Sequence, residues 1–219
     1  LLEDQNVIES KKVFLTLTRT LFNGTKIDAG DYVFSRPVGP LIVSYRIANG
    51  ILGVDPVTIT FAEGLSTREM AEIVHEKFPH ISVEEFRNRA GKLEGYLFPD
   101  TYSFVPSVSA QTIIDAMHGN FERKIAQLEE EYGGIDRPLH DVVTLASILE
   151  KEARQFRTMQ IVAGILYERL EIGMALQVDA TFGYILDRDT FHPSFNDLEI
   201  DSPYNTYKYP GLPPGPIAN

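Results

Sequence analysis

Two helix-start signals stand between two apolar segments of this chain, and together they restrict its fold more than any other feature. Ser66–Glu69 and Ser82–Glu85 each place a serine three residues before a glutamate, which is the spacing of a capping box at a helix N-terminus. The β-branched segment Val57–Phe61 precedes them, and Leu93–Phe104 follows as a turn and a strand. Val57–Phe104 is therefore predicted to fold as strand, helix, helix and strand.

Helical periodicity predicts most of the remaining elements. The predicted helices are Val7–Phe22, Leu41–Asn49, Ser109–Tyr132, Asp141–Arg154 and Met159–Glu171, and Lys26–Phe34 is predicted to be a turn leading into a short strand. Beyond Gly173 we expect mainly loops, because Ser202–Asn219 contains five prolines and cannot be helical throughout. The predicted fold class is α+β, with a small α/β part followed by a helix-rich part.

The charge of the chain excludes several classes of partner. The formal net charge is −11, which argues against a nucleic-acid binder held by phosphate contacts and against electrostatic docking on anionic lipid. No stretch approaches the roughly 18 uninterrupted apolar residues that a membrane-spanning helix needs. The chain begins with Leu1 rather than Met, so we expect that the natural N-terminus has been removed, and a signal or anchor could have been lost with it.

Metal and thiol chemistry are not expected either. The sequence has no cysteine, which removes disulfides, thiol catalysis and cysteine-bound zinc. Its five histidines lack the spacing of a metal motif such as HExxH. We therefore expect neither a metal nor any other cofactor.

The helix predicted over Asp141–Arg154 carries an acidic residue at an unusual position. On a helical wheel Glu152 falls inside the apolar arc, between Leu145 and Ile148, whereas Glu150 lies at its border. Burial would favour the protonated form of Glu152, as a general acid requires. The alternative is a glutamate at a helix end that reaches solvent or pairs with a nearby arginine, and spacing alone favours that alternative.

Two further clusters suit the binding of a carbohydrate. If Leu176–Asp179 is extended, Gln177 and Asp179 point to the same side and can hydrogen-bond sugar hydroxyls and amides. The second cluster combines aromatic and amide side chains with a stiff proline-rich segment, at Tyr204, Asn205, Thr206, Tyr207 and Tyr209 followed by Gly211–Ile217. The alternatives are a solvated strand edge or a helix cap for the first cluster and a packed surface loop for the second.

Taken together, four phrases resemble the MltG (YceG-like) family of endolytic murein transglycosylases. The phrases are Glu94–Tyr102 (EGYLFPDTY), Ala146–Ala153 (ASILEKEA), Arg169–Asp179 (RLEIGMALQVD) and Ser202–Asn219 (SPYNTYKYPGLPPGPIAN), in the family's order and roughly its spacing. The resemblance covers nearly the whole chain. One departure is Ala180, where the family usually has proline.

The resemblance implies an α+β protein with an N-terminal region over 1–105, a LysM-like subdomain at about 57–104, and a catalytic domain over 106–219. Family members usually continue past the last phrase, so the catalytic domain is expected to continue beyond Asn219. The family's catalytic glutamate corresponds to Glu152, with Glu150 as a secondary candidate. Glu94 and Asp100 are expected to be structural turn residues. The expected substrate-binding residues are Gln177, Asp179, Tyr204, Asn205 and Thr206.

The activity implied by the resemblance is that of a carbon–oxygen lyase acting on peptidoglycan. It would cut the MurNAc-β-1,4-GlcNAc bond within nascent strands, leave a 1,6-anhydroMurNAc end and so terminate strand elongation. A single-pass anchor before Leu1 would hold the catalytic part outside the bacterial cell membrane, with peptidoglycan synthases as candidate partners. Two alternatives stay open, a hydrolytic muramidase using Asp179 or Glu150 to activate water and a non-catalytic peptidoglycan-binding scaffold.

Overall fold

The computed structural model describes residues 2–3, 7–22, 32–34, 38–51, 53–134, 136–188 and 192–219. Within these residues the chain is helix-rich, with one small sheet, as the α+β prediction required. The helices are α1 (Lys11–Leu21), α2 (Pro40–Ala48), α3 (Thr67–Lys77), α4 (Val83–Ala90), α5 (Ala110–Tyr132), α6 (Leu139–Glu152), α7 (Phe156–Glu171) and α8 (Ala180–Leu186). The strands β1 (Val57–Thr60) and β2 (Thr101–Phe104) form a two-stranded sheet.

The chain divides into two compact units, Leu1–Val57 with Ser103–Ser107 and Thr58–Tyr102 with Val108–Asn219. In the first unit, α1 and α2 bury Phe14 against Val43, and the Thr18 hydroxyl donates to that of Ser44 over 3.0 Å. Both helices were predicted. The turn and strand predicted for Lys26–Phe34 lie largely outside the described residues, and the predicted boundary at 105/106 stays a prediction.

The strand, helix, helix, strand order predicted for Val57–Phe104 is confirmed. A complete capping box begins α3, since Ser66 Oγ accepts from the backbone N–H of Glu69 and the Glu69 carboxylate accepts from the Ser66 N–H. At α4 the Ser82 hydroxyl accepts from the Glu85 N–H, but the Glu85 carboxylate lies 3.3 Å from Arg89 instead of returning to Ser82. The LysM-like identity of this region stays a prediction.

The long helix α5 packs against this α/β part. Ser109 caps it and Gly133, in the left-handed conformation at φ 79°, ends it, as predicted. Ile113 and Met117 are fully buried, and the Met117 carbonyl accepts from the Phe98 N–H over 3.3 Å. The α/β part and α5 therefore share one core. Among the described residues, no helix is both long and apolar enough to cross a bilayer.

A second cluster of buried side chains joins α6, α7 and the segment that follows them. Its buried members are Leu145, Ile148, Leu166, Leu176, Val178 and Ile217. The expectation of a loop-rich chain beyond Gly173 missed α8, which has seven residues and a central glycine, Gly183. So short a helix depends on packing rather than on propensity, and its Phe182 is fully buried.

The proline-rich C-terminal segment connects distant parts of the second unit. The Ile217 N–H donates to the Ser147 hydroxyl of α6 over 3.0 Å. Two residues later, the Asn219 carbonyl accepts from the Gly64 N–H and the Asn219 N–H donates to the Leu65 carbonyl. The Asn219 side chain also accepts from the Leu97 N–H over 3.0 Å. This segment is therefore built into the fold and holds the turn before α3 beside α6.

Candidate active site

An open cleft of about 1190 Å³ lies in the second unit, where the turn before α3, the end of α6 and the start of α8 meet. Charged side chains of both signs line it, with Tyr184 as an aromatic member. The lining includes Glu63, Arg68, Glu150, Glu152, Asp179, Tyr184, Arg188 and His192. The cleft therefore contains three of the carboxyl groups selected from the sequence.

Glu152 is the last residue of α6 and lies in this cleft. The chain becomes extended at Ala153, with φ −144° and ψ 135°, so the Glu152 side chain projects past the packed part of the helix. It is exposed, and its Oε1 accepts a hydrogen bond from the backbone N–H of Ala180 over 3.2 Å. The predicted burial of Glu152 between Leu145 and Ile148 is therefore wrong, and any special reactivity must come from neighbouring groups.

Asp179 directly precedes α8 and is held from two sides. Its Oδ1 accepts from the Tyr207 hydroxyl over 2.6 Å, and its Oδ2 lies 3.7 Å from His192 Nδ1. The hydrogen bond to Asp179, with burial and the charges of Asp179 and Glu152, raises the pKa of Tyr207 to about 12. Tyr207 is thus a permanent donor at neutral pH, and both carboxylates act on it.

Gln177 takes a conformation that the sequence did not predict. Its backbone has φ +54°, in the left-handed region, whereas Asp179 is helical at φ −67° and ψ −33°. The segment is therefore not an extended strand. The prediction that Gln177 and Asp179 point to the same side assumed an extended strand, so it is wrong. Gln177 Oε1 accepts from Arg169 over 3.2 Å, and the described residues that line the cleft include Asp179 but not Gln177.

Asn205 and Thr206 are buried and use their polar atoms inside the protein. The Asn205 amide donates to the carbonyls of Leu198 and Ile200, and its oxygen accepts from the Tyr207 N–H. These contacts favour support of Tyr207 over direct contact with a ligand.

Thr206 supports the neighbouring segment in the same way. Its hydroxyl accepts from the Val178 N–H over 2.9 Å, and its carbonyl accepts from the Gln177 N–H over 2.9 Å. Thr206 therefore holds the two residues that precede Asp179. Tyr204, the other residue predicted from this phrase, lines a second cleft.

Glu150 lines the same cleft as Glu152 but meets a different environment. It lies beside the turn at Gly64, and partial burial together with the charge of Glu63 raises its pKa. Glu150 therefore holds its proton more strongly than an ordinary glutamate does.

Glu94 and Asp100 make the structural contacts expected of them. Glu94 Oε1 accepts from the Thr67 N–H and from the Asn219 amide, each over 2.8 Å. Asp100 accepts from the Thr101 N–H over 2.7 Å and from the Asn120 amide over 3.2 Å.

Sequence reasoning missed two residues of this site. Tyr207 belongs to the predicted aromatic cluster but not to the expected substrate-binding residues, and His192 enters the sequence analysis only as a possible metal ligand. The spacing of Tyr207 from Asp179 gives no local signal, because 28 residues separate them. Across the described residues, no group of three or more His, Cys, Asp or Glu side chains is arranged to hold a metal ion.

Comparison with known proteins gives a family match over the full length. Residues 1–219 match the model of the YceG-like family. A solved structure of a yceG-like protein from Listeria monocytogenes superposes with a TM-score of 0.68 at 31% sequence identity, covering 100% of this chain and 80% of that one.

Two curated relatives carry a functional name. The endolytic murein transglycosylase of Bacillus subtilis (strain 168) is 30% identical over 247 residues, which cover 100% of this chain and 68% of that protein. The endolytic murein transglycosylase of Streptococcus pneumoniae serotype 2 (strain D39 / NCTC 7466) is 34% identical over 131 residues, covering 58% of this chain and 24% of that protein.

Proposed function

This chain belongs to the YceG-like family, and from that premise we propose that it is a peptidoglycan lytic transglycosylase that cuts within glycan strands. The observation that carries the proposal is the pair Glu152 and Asp179 on one open cleft, with a backbone N–H donated to the first and the Tyr207 hydroxyl to the second. The names of the relatives from Bacillus and Streptococcus support the same activity.

Glu152 is the proposed acid and base of the reaction. As the acid, it donates a proton to the oxygen of the MurNAc-β-1,4-GlcNAc bond, which breaks through an oxocarbenium-like state. As the base, the resulting carboxylate takes the proton from the C6 hydroxyl of MurNAc, whose oxygen closes on C1. The product is a 1,6-anhydroMurNAc end, no water is consumed, and Glu152 recovers its proton.

The neighbours of Glu152 suit this cycle. The Ala180 N–H that reaches Glu152 Oε1 stabilises the carboxylate left after proton donation. Asp179 faces the same cleft, and its negative charge would stabilise the positive sugar ring. Glycan that fills the cleft excludes water, which strengthens these interactions. We propose that Gln177, Asn205 and Thr206 position Asp179 and its neighbours rather than touch the sugar.

The hydrolytic alternative fits the geometry less well. A muramidase would need Asp179 or Glu150 to activate a water molecule. Asp179 already accepts the Tyr207 hydroxyl, and the raised pKa of Glu150 disfavours the carboxylate that a base must be. Both observations favour a mechanism with one acid/base residue.

The product end decides between the candidate functions. Purified peptidoglycan is incubated with the protein, and the released fragments are analysed by mass spectrometry. We expect 1,6-anhydro ends. Reducing MurNAc ends would identify a hydrolase, and retention of protein on the glycan without fragments would identify a binding scaffold.

The wider setting remains part of the proposal. An enzyme of this activity works outside the cytoplasm, where peptidoglycan is built, so termination of nascent strands and cooperation with peptidoglycan synthases are proposed roles. We also propose that the region over Val57–Phe104 helps to orient glycan. Attachment to the membrane stays a prediction.

A further inference from the structure

A second cleft, of about 480 Å³, lies in the same unit and has no part in the mechanism above. Tyrosine and histidine side chains make up much of its wall. The aromatic lining consists of Tyr96, His118, His140, Tyr184 and Tyr204. Residues 91–94, among them Lys92 and Glu94, and Pro214–Pro216 complete the wall around these rings.

Hydrogen bonds and close packing fix this wall. His140 Nε2 lies 2.9 Å from the Pro214 carbonyl, which can only accept, so Nε2 carries the proton and Nδ1 accepts from the Tyr96 hydroxyl over 3.0 Å. Gly95 has φ +83°, and a Cβ there would lie 2.4 Å from the ring of Pro216. The cleft is therefore a built feature of the fold, held by partners on three different segments.

Among the described residues, the lining carries one acidic group, Glu94, and one basic group, Lys92, so it favours neither charge strongly and suits a neutral ligand. Both nitrogens of His140 are used, so that residue is not available to a metal. The Glu94 carboxyl and the Pro214 carbonyl disfavour phosphate or carboxylate groups beside them. Tyrosine rings offer apolar faces with polar edges, and the rings of Tyr184 and Tyr204 lie 4.9 Å apart. A pyranose ring, with C–H faces and hydroxyl and amide edges, matches this pattern.

Tyr184 joins the two clefts. It lines the cleft of Glu152 and also the second cleft. Burial raises the pKa of Tyr184, and the charge of Glu94 adds to that effect. Its hydroxyl therefore stays protonated, and it donates to the Tyr204 hydroxyl, which belongs to the second cleft.

We propose that the second cleft is a saccharide subsite, which holds a neutral N-acetylated sugar of the same strand away from the bond that Glu152 cuts. This inference rests on the proposed function. An enzyme that cuts internally must hold chain on both sides of the bond, and a strand that occupies both clefts is positioned for such a cut.

The test measures binding to the full chain carrying Glu152→Gln, so that cleavage does not interfere. The probes are β-1,4-linked N-acetylglucosamine oligomers, a disaccharide and an octasaccharide. Tyr96→Ala, added to this background, should weaken octasaccharide binding about tenfold and disaccharide binding less, because a disaccharide can also bind in the Glu152 cleft alone. His118→Ala, at a partly exposed side chain of α5, tests the same cleft if Tyr96→Ala does not fold. Tyr132→Ala, at an exposed position of α5, is the matched control and should change neither affinity.

Imidazole NMR signals of His118 and His140 should shift with the octasaccharide. Parental octasaccharide affinity in the folded variants, or an equal loss for both oligomers, would overturn the subsite. The peptide part of peptidoglycan, added alone, is a further probe. If it shifts these signals and the octasaccharide does not, the cleft binds peptide and the proposed saccharide subsite is overturned. Cleavage of wall glycan by the unmutated chain is scored separately, so failure of the proposed function is distinguished from failure of the subsite.

Discussion

The Tyr207 hydroxyl donates to Asp179 over 2.6 Å and so ties the proline-rich C-terminal segment to the start of α8. Two buried side chains support this bond. Asn205 accepts from the Tyr207 N–H on one side of it, and Thr206 accepts from the Val178 N–H on the other. The position of the Asp179 carboxylate therefore depends on a residue 28 positions away in the chain.

Tyr207→Phe should lower the rate of glycan cleavage while the protein stays folded. The ring still packs against Phe182, but Asp179 loses a donor. A hydrogen bond to a charged group contributes about 1.5–3 kcal/mol, so a loss of about 10- to 100-fold in kcat is expected. The control is Tyr209→Phe, which removes a hydrogen bond to Asp201 on the exposed surface and should be nearly silent. Parental kcat for Tyr207→Phe would show that this bond has no catalytic role.

Glu152→Gln should abolish cleavage, whereas Glu150→Gln should be much milder. Glutamine can still accept the Ala180 N–H but cannot transfer a proton. General acid–base groups supply about 10²–10⁴-fold in rate, and one residue acting in both directions should lie at or beyond the top of that range. Because Glu152 is exposed, Glu152→Gln should change the free energy of unfolding of the protein by less than about 0.5 kcal/mol.

The assay counts 1,6-anhydro ends, with circular dichroism to confirm folding. If the Glu150 variant is inactive and the Glu152 variant is active, the general acid is Glu150. If both variants are active, the general acid lies outside this helix.

Ser66→Ala should destabilise the protein more than Ser82→Ala does. Both serines cap a helix, but only Ser66 belongs to a complete capping box, and it is buried as well. Loss of a cap costs about 0.5–2 kcal/mol, and we place Ser66 at the upper end and Ser82 at the lower end of that range. Urea unfolding measures both values, and a larger loss for Ser82 would contradict the ranking.

The free energy of unfolding should fall as the pH rises above about 4.5, in part because of Glu94. Burial raises the pKa of Glu94 from that ordinary value, although hydrogen bonds from Thr67 and Asn219 oppose the shift. The folded protein thus keeps a proton that the unfolded chain has lost, so unfolding releases it and becomes easier as the pH rises. Above the folded-state pKa the slope disappears.

Glu94→Gln should reduce this pH dependence, since the amide oxygen can accept the same two hydrogen bonds without a charge. The matched control is Glu130→Gln, at an exposed position of α5. Denaturant unfolding at several pH values from about 4 upward measures the slope. An identical slope in Glu94→Gln and in the unmutated protein would rule out Glu94 as its source.

Local signals in the sequence were sufficient to predict the helices that begin or end at a strong cap. Ser66, Ser82 and Ser109 begin helices as predicted, and Gly133 ends one, because each acts through backbone groups within a few residues. The motif around Glu152 selected a residue that lies in an open cleft, although the argument from burial was wrong.

The missed features depend on contacts between distant residues. The helix α6 ends at Glu152 instead of continuing to Arg154, which turns the carboxyl from the core to the cleft. The left-handed backbone of Gln177 occurs together with a hydrogen bond from its N–H to the distant Thr206 carbonyl, and no periodicity encodes it. The burial of Asn205 likewise depends on the carbonyls of Leu198 and Ile200.

The contacts of Asn219 have a consequence for the order in which the protein matures. Synthesis proceeds from the N-terminus, so Gly64 and Leu65 leave the ribosome about 150 residues before the backbone that bonds to them. Contacts of such large sequence separation form late and slow the folding of a domain. The wall of the Glu152 cleft that includes Gly64 is therefore completed only after translation of residue 219. Until then Glu152 is present in the chain, but the cleft around it is incomplete.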